Sequence, residues 1–161
     1  MSLMMSVSGI RGIVGETFTP ELIEKVSSRL AKYLKGGTVV IGRDSRHTGE
    51  AVMRLAESTL VLSGCDVVDI GIVPTPTVQI MVEKLKAKAG IVISASHNPI
   101  EWNAFKLINE KGEFFSPKQI REFFELLDKD MKYPVHSKIG KLYYDDTAFA
   151  SHLDMVLSKV D

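Results

Sequence analysis

Three short aliphatic runs, Thr38–Ile41, Asp66–Ile70 and Gly90–Ile93, constrain the fold of this chain more than any other feature. Each is continuous rather than alternating, the pattern of a strand buried on both faces. The segments between them carry apolar residues at helical spacing: Val52, Met53, Ala56 and Leu60 within Glu50–Ser63, then Val78, Met81 and Leu85 within Thr77–Lys88. Strand, helix, strand, helix, strand predicts a parallel sheet with right-handed crossovers. Upstream, Thr19 is an N-cap before Pro20 at the first helical position. Leu22, Ile23, Val26, Leu30 and Leu34 form one stripe of that helix, and Gly36-Gly37 stop it. Downstream, Phe105–Asn109 predicts a fourth strand, closed by a Lys111-Gly112 turn. Ser116-Pro117-Lys118-Gln119 predicts a capping box on a helix buried through Ile120, Phe123, Phe124 and Leu127.

The expected architecture is therefore α/β: three layers, α/β/α, around a mixed, mostly parallel four-stranded sheet. Residues 1–140 are expected to form the domain. Residues 141–161 are expected to be a linker and helix leading to a second domain, after a Pro134-containing connector. In that helix Phe149, Leu153, Val156, Leu157 and Val160 share one face, and the stripe runs to the end of the chain without a cap. An apolar face left open in this way is available for self-association.

Composition mostly excludes. The 161 residues suit one domain, and 20 Lys plus Arg balance 20 Asp plus Glu. Zero formal charge argues against a broad footprint for nucleic acid or an anionic membrane. No stretch reaches the roughly 20 apolar residues of a membrane span. The start, MSLMMSVSG, lacks the basic n-region of a secretory signal. The single cysteine, Cys65, makes neither an intramolecular disulfide nor a Cys-based zinc site, and a cytoplasmic setting is expected.

In open parallel sheets, ligands bind beyond the carboxyl ends of the strands. The loops expected there are Gly42–Arg46, Gly71–Pro76 and Ser94–Pro99, while the place of Ser8–Gly12 on the sheet does not follow from its residues. The Ser94–Pro99 loop is the richest in chemistry. Ser96 offers a hydroxyl, His97 stands beside it, and Asn98 can orient or donate. A phosphorylated Ser96 would carry about −1.5 to −2 charges, and Arg11 and Lys106 are the cations to hold it. A serine-rich turn after a strand can equally do no more than cap the next element. Asp44 and Arg46 are expected to pair and brace their loop. His47, His136 and His152 show no metal-ligand spacing, and no G-x-S-x-G elbow surrounds Ser96.

Together, SGIRG at Ser8–Gly12, GRDSR at Gly42–Arg46, GIVPTP at Gly71–Pro76 and SASHNP followed by NAFK at Ser94–Lys106 resemble the first domain of the α-D-phosphohexomutases, the phosphoglucomutase and phosphomannomutase superfamily. The resemblance covers Ser8 to about Leu127. It implies that Ser96 is the phosphocarrier, that Arg11 neighbours it, and that Lys106 contacts phosphate or moves a proton. His97 would take a supporting or acid/base role, and Asn98, Asn103 and Arg43 would help bind phosphate or substrate. The resemblance further implies Mg²⁺, with an oxygen of phosphorylated Ser96 as one ligand, and glucose 1,6-bisphosphate as activator. The implied reaction interconverts hexose 1- and 6-phosphates through a bisphosphorylated sugar, in the isomerase class.

Two departures stand out. Ala104 occupies a position where the family usually has glycine. The Asp-rich metal loop, the sugar-selecting loop and the C-terminal phosphate loop of the family are absent from this sequence. By itself the chain is therefore expected to be nearly inactive and to depend on further domains as partners. A phosphoglucosamine mutase is the near alternative within the family; a non-catalytic α/β binding module is the alternative outside it.

Overall fold

The structure is a computed structural model that describes residues 3–160. Seven strands form one sheet in the order β1-β2-β6-β5-β3-β4-β7. In chain order they are β1 (Met4–Ser6), β2 (Gly9–Ile13), β3 (Gly37–Arg43), β4 (Cys65–Ile72), β5 (Ala89–Ile93), β6 (Trp102–Asn109) and β7 (Leu142–Tyr144). The helices are α1 (Pro20–Leu34), α2 (Gly49–Leu62), α3 (Thr75–Lys84), α4 (Pro117–Leu127) and α5 (Ala148–Leu157), with a 3-10 turn at His136–Lys138.

The continuous aliphatic runs are continuous because both faces of the strands are covered. Val39, Ile41, Val67, Ile91 and Ile93 pack against residues of α1, α2 and α4, including Leu30, Met53 and Phe123. Val40, Ile70 and Val92 point the other way, onto Val78, Met81 and Val82 of α3 and Ala148 of α5. Helices thus lie on both faces, the expected three layers.

The sheet is larger than the sequence suggested, with seven strands where four were expected. The four expected strands form its centre, where β3 pairs parallel with β4 and β5 while β6 runs antiparallel to β5. The additions change the balance: β1–β2 and β2–β6 are antiparallel, and β4–β7 is parallel. Three pairings of each kind therefore make the sheet evenly mixed rather than mostly parallel. β1 and β7 are three residues each, too short for any periodicity to register, and β2 contains two glycines and an arginine.

Both ends of α1 and the start of α4 follow the predicted punctuation, while α3 begins and ends earlier than its expected segment, at Thr75 and Lys84. Thr19 accepts a hydrogen bond from the Leu22 amide at 3.4 Å, and Pro20 opens α1. That helix closes on Lys35 in the left-handed region at φ 57°, just ahead of the glycines. The capping box of α4 is complete: Gln119 N–H donates to Ser116 Oγ at 3.3 Å, and Ser116 N–H donates to Gln119 Oε1 at 3.0 Å. α5 rests on α3 through buried Ala148 and a 2.8 Å hydrogen bond between Thr77 Oγ1 and His152 Nδ1. Phe149, Leu153, Val156, Leu157 and Val160 remain exposed, so the predicted stripe is turned away from the sheet. Among the described residues no helix is long and apolar enough to cross a membrane.

Candidate active site

The expected ligand end of the sheet lies beyond the C-terminal ends of β3, β4 and β5. Ser94–Glu101 joins the end of β5 to the start of its antiparallel neighbour β6, so the serine-rich loop sits at that edge. Ser94 is nearly buried; Ser96 and His97 are exposed. Ser96 has φ 57°, in the left-handed region that its Cβ disfavours. Such strain in a non-glycine residue persists only where the surroundings over-determine it. Here the Ser96 amide donates to Ser94 Oγ at 3.1 Å, and the Asn98 amide closes a turn on the Ala95 carbonyl at 3.1 Å.

The N-terminal motif, unplaced by its residues alone, is β2. Its antiparallel register against β6 sets Arg11 opposite Ala104 and brings it to the same edge. Lys106 lies two residues beyond Ala104, hence on the same face as Arg11 and diagonal to it. Arg11 Nη1 donates to Asn98 Oδ1 at 3.2 Å, and Nη2 donates to Ser8 Oγ at 3.1 Å. Arg11 is thereby tied to the serine loop through Asn98. Burial holds the Lys106 ammonium below its ordinary pKa; the nearby Arg11 charge adds to this, and Asp44 opposes it. Ala104 fits its place without difficulty, 1% exposed in the regular part of β6.

Asn103 and Arg43 are turned to other partners. Asn103 is fully buried; its Nδ2 donates to Thr48 Oγ1 at 3.2 Å, and its Oδ1 accepts from the Ala104 amide at 2.9 Å. Thr48 is the residue ahead of α2, so Asn103 ties β6 to the start of that helix. Arg43 Nη1 donates to the Asp44 carbonyl at 3.2 Å, and Nη2 lies 3.8 Å from Glu50. The expected Asp44–Arg46 pair is present at 3.2 Å and braces its own loop, the Arg46 amide also donating to Asp44 Oδ1 at 3.0 Å; Arg46 in addition braces the serine loop. Arg46 donates to the backbone carbonyls of Ser96, Asn98, Pro99 and Trp102. Residue type gave no sign of this reach. An open depression of about 460 Å³ lies between residues 44–46 and Ser94, Ser96, Asn98 and Ile100.

The donor set does not amount to a magnesium site. Among the described residues no three His, Cys, Asp or Glu side chains converge. The carboxylate beside the loop, Asp44, is bound to Arg46. A phosphate on Ser96 would add oxygens, but among the described residues no carboxylate cluster stands by it to complete a shell.

The fold and this edge define a class: a three-layer α/β/α domain that presents one strained, exposed serine among cations. Residues 3–134 match the family model described as phosphoglucomutase/phosphomannomutase, alpha/beta/alpha domain I, and the chain belongs to that family. It is 43% identical over 160 residues to a "probable phosphoglucosamine mutase" of Methanopyrus kandleri, covering 99% of this chain and 35% of that one. A phosphoglucosamine mutase of Clostridium kluyveri is 34% identical, covering 100% of this chain and 38% of that one. The crystal structure of a Thermus thermophilus chain named as a phosphomannomutase superposes with a TM-score of 0.87 at 25% identity, covering 99% of this chain and 36% of that one. The chain thus spans a little over a third of the length of these relatives.

Proposed function

We propose that this chain is the phosphoserine-carrying domain of a phosphohexomutase, with Ser96 as the carrier. The observation that carries the reading is the Ser96 loop: an exposed hydroxyl on a residue held at φ 57°, with Arg11 bonded to the same loop. In the proposed reaction the bond between phosphorus and Ser96 Oγ breaks as one forms to a hydroxyl of the sugar monophosphate. The hydroxyl proton leaves to a base, the departing Ser96 Oγ takes up a proton, and a sugar bisphosphate results. After reorientation the sugar's other phosphoryl group returns to Ser96, so that 1- and 6-phosphates interconvert. Such transfer needs positioning and charge neutralisation more than covalent chemistry. Arg11 supplies fixed positive charge. Lys106, its pKa lowered by burial and by Arg11, is suited to hold a proton at Nζ and pass it on. His97, exposed beside Ser96, is placed to meet substrate rather than to support the fold. Asn98 orients Arg11; Asn103 and Arg43 serve by holding the surrounding elements.

Mg²⁺ would be coordinated by an oxygen of phosphorylated Ser96 together with carboxylates from chain outside these 161 residues. Glucose 1,6-bisphosphate fits as the phosphoryl donor that charges Ser96. The names of the relatives at 34–43% identity favour an amino sugar, glucosamine phosphate, as the substrate over glucose or mannose phosphate. The remaining domains are the expected partners, and the exposed apolar face of α5 is suited to contact them.

The test is complementation. Joined to the remaining domains of a relative, this chain should support interconversion of glucosamine 6- and 1-phosphates, and Ser96→Ala should abolish it. Retained activity in Ser96→Ala would overturn the carrier role; activity on glucose or mannose phosphates alone would overturn the amino-sugar preference.

A further inference from the structure

Arg46 is an arginine within reach of a serine proposed to carry phosphate, its Nη2 3.0 Å from the Ser96 carbonyl, so phosphate binding is the role its charge would suggest. The geometry points instead to a different division of labour, and we propose that Arg46 is the positioning residue that fixes the shape of the Ser96 loop and binds no phosphate itself. A guanidinium has five N–H donors and no acceptor. Nε donates to Asp44 Oδ2 at 3.2 Å. Nη1 donates to the Pro99 carbonyl at 2.6 Å and the Trp102 carbonyl at 3.1 Å. Nη2 donates to the Ser96 carbonyl at 3.0 Å and the Asn98 carbonyl at 2.7 Å. Every donor has an acceptor, so none is left for a phosphate.

The acceptors explain why the arginine is needed. Between β5 and β6 the backbone leaves its ladder, and its carbonyls must find donors elsewhere. A planar fork can satisfy four of them at once; a flexible ammonium with three donors cannot. Asp44 pre-sets the fork, because its Oδ1 also accepts the Arg46 amide at 3.0 Å. The Ser96 carbonyl is one of the clamped acceptors, and the Ser96 amide is held by Ser94 Oγ at 3.1 Å. Both peptide groups flanking Ser96 are therefore restrained, which is how the left-handed φ of 57° is kept. Arg11 contrasts with this. Its two contacts go to side-chain oxygens of Asn98 and Ser8, leaving donors for an incoming anion.

The experiment compares the full chain with Arg46→Lys, which keeps the charge and loses the fork. By NMR-detected hydrogen exchange, the Ser96 and Asn98 amides should exchange at least about tenfold faster, equivalent to about 1.4 kcal/mol. Ile91 and Val92 in β5 should keep their wild-type rates. Loop amides exchanging at the wild-type rate would overturn the proposal. If Arg46→Lys fails to fold, Asp44→Ala decides: removing the partner of Nε should accelerate the same two amides by about threefold, and no acceleration would overturn the proposal. A second readout rests on the proposed function. With glucose 1,6-bisphosphate as donor, Arg46→Lys should lower the maximal rate of Ser96 phosphorylation about tenfold and leave the half-saturating concentration within about twofold. A raised half-saturating concentration with an unchanged maximum would make Arg46 a phosphate ligand and overturn the proposal. If the wild-type chain accepts no phosphate, the functional reading fails, while the exchange experiment still judges Arg46.

Discussion

Replacing Glu57 with glutamine should abolish a pH dependence of stability that the structure builds between α2 and β4. Glu57 on α2 is 1% exposed, and Asp69 on β4 is 7% exposed. Both share one guanidinium, Arg54, at 3.0 and 2.9 Å. Asp69 also accepts the Gly71 amide at 2.7 Å, whereas Glu57 Oε1 is buried without a partner. Burial, reinforced by the Asp69 charge and opposed by Arg54, pushes the Glu57 carboxyl from 4.5 up to about 7. The folded chain therefore keeps a proton that the unfolded chain releases, and stability falls as pH rises between those two values. At about 1.36 kcal/mol for each pH unit, the loss above neutrality is on the order of 3 kcal/mol. Glutamine has the same shape and no charge, and can accept from Arg54 while donating to Asp69. Urea unfolding of both chains from about pH 5 to about pH 8 makes the comparison. The wild type should lose stability relative to Glu57→Gln across that window, and the variant should be the more stable chain at about pH 8. A variant less stable than wild type at about pH 8, or a difference that does not change with pH, would refute the reasoning.

Other consequences concern the site. Because Ser96 sits at φ 57°, Ser96→Gly should be more stable than Ser96→Ala by about 1 kcal/mol in urea unfolding, since only alanine keeps the Cβ. Equal stabilities would mean that the left-handed conformation costs nothing. A methyl group at Gly9 would overlap the Phe105 carbonyl at a backbone φ of +113°. Gly9→Ala should cost at least about 2 kcal/mol by pushing β2 off β6, a loss that thermal or urea unfolding would read directly. The Lys106 ammonium should titrate below the exposed lysines in NMR of the ¹³C-dimethylated chain, and Arg11→Met should raise it by removing a neighbouring cation; no upward change would contradict the assigned cause.

What the sequence revealed and what it hid have physical reasons. β3, β4 and β5 were legible because strands buried on two faces must be aliphatic throughout. β7 and β1 were not, because three-residue edge strands hold their place by pairing with a neighbour, as Val67 and Val68 do for Leu142 and Tyr143. Within the site, Ser96 was legible because its loop follows a recognisable strand. Arg46 was legible only as a partner of Asp44. Its bonds to Ser96 and Trp102 span 50 and 56 residues of sequence, and no local pattern encodes them. Asn103 presents a polar side chain to any reading of residue types, yet it is fully buried, and its amide is the tie to Thr48.

The central claim is that Ser96 carries the phosphoryl group. Incubating the chain with glucose 1,6-bisphosphate and mapping phosphate by tandem mass spectrometry tests it most directly. One phosphoryl group on Ser96, absent in Ser96→Ala, is the predicted result. Phosphate on Ser94 or another residue, with Ser96 unmodified, would contradict it.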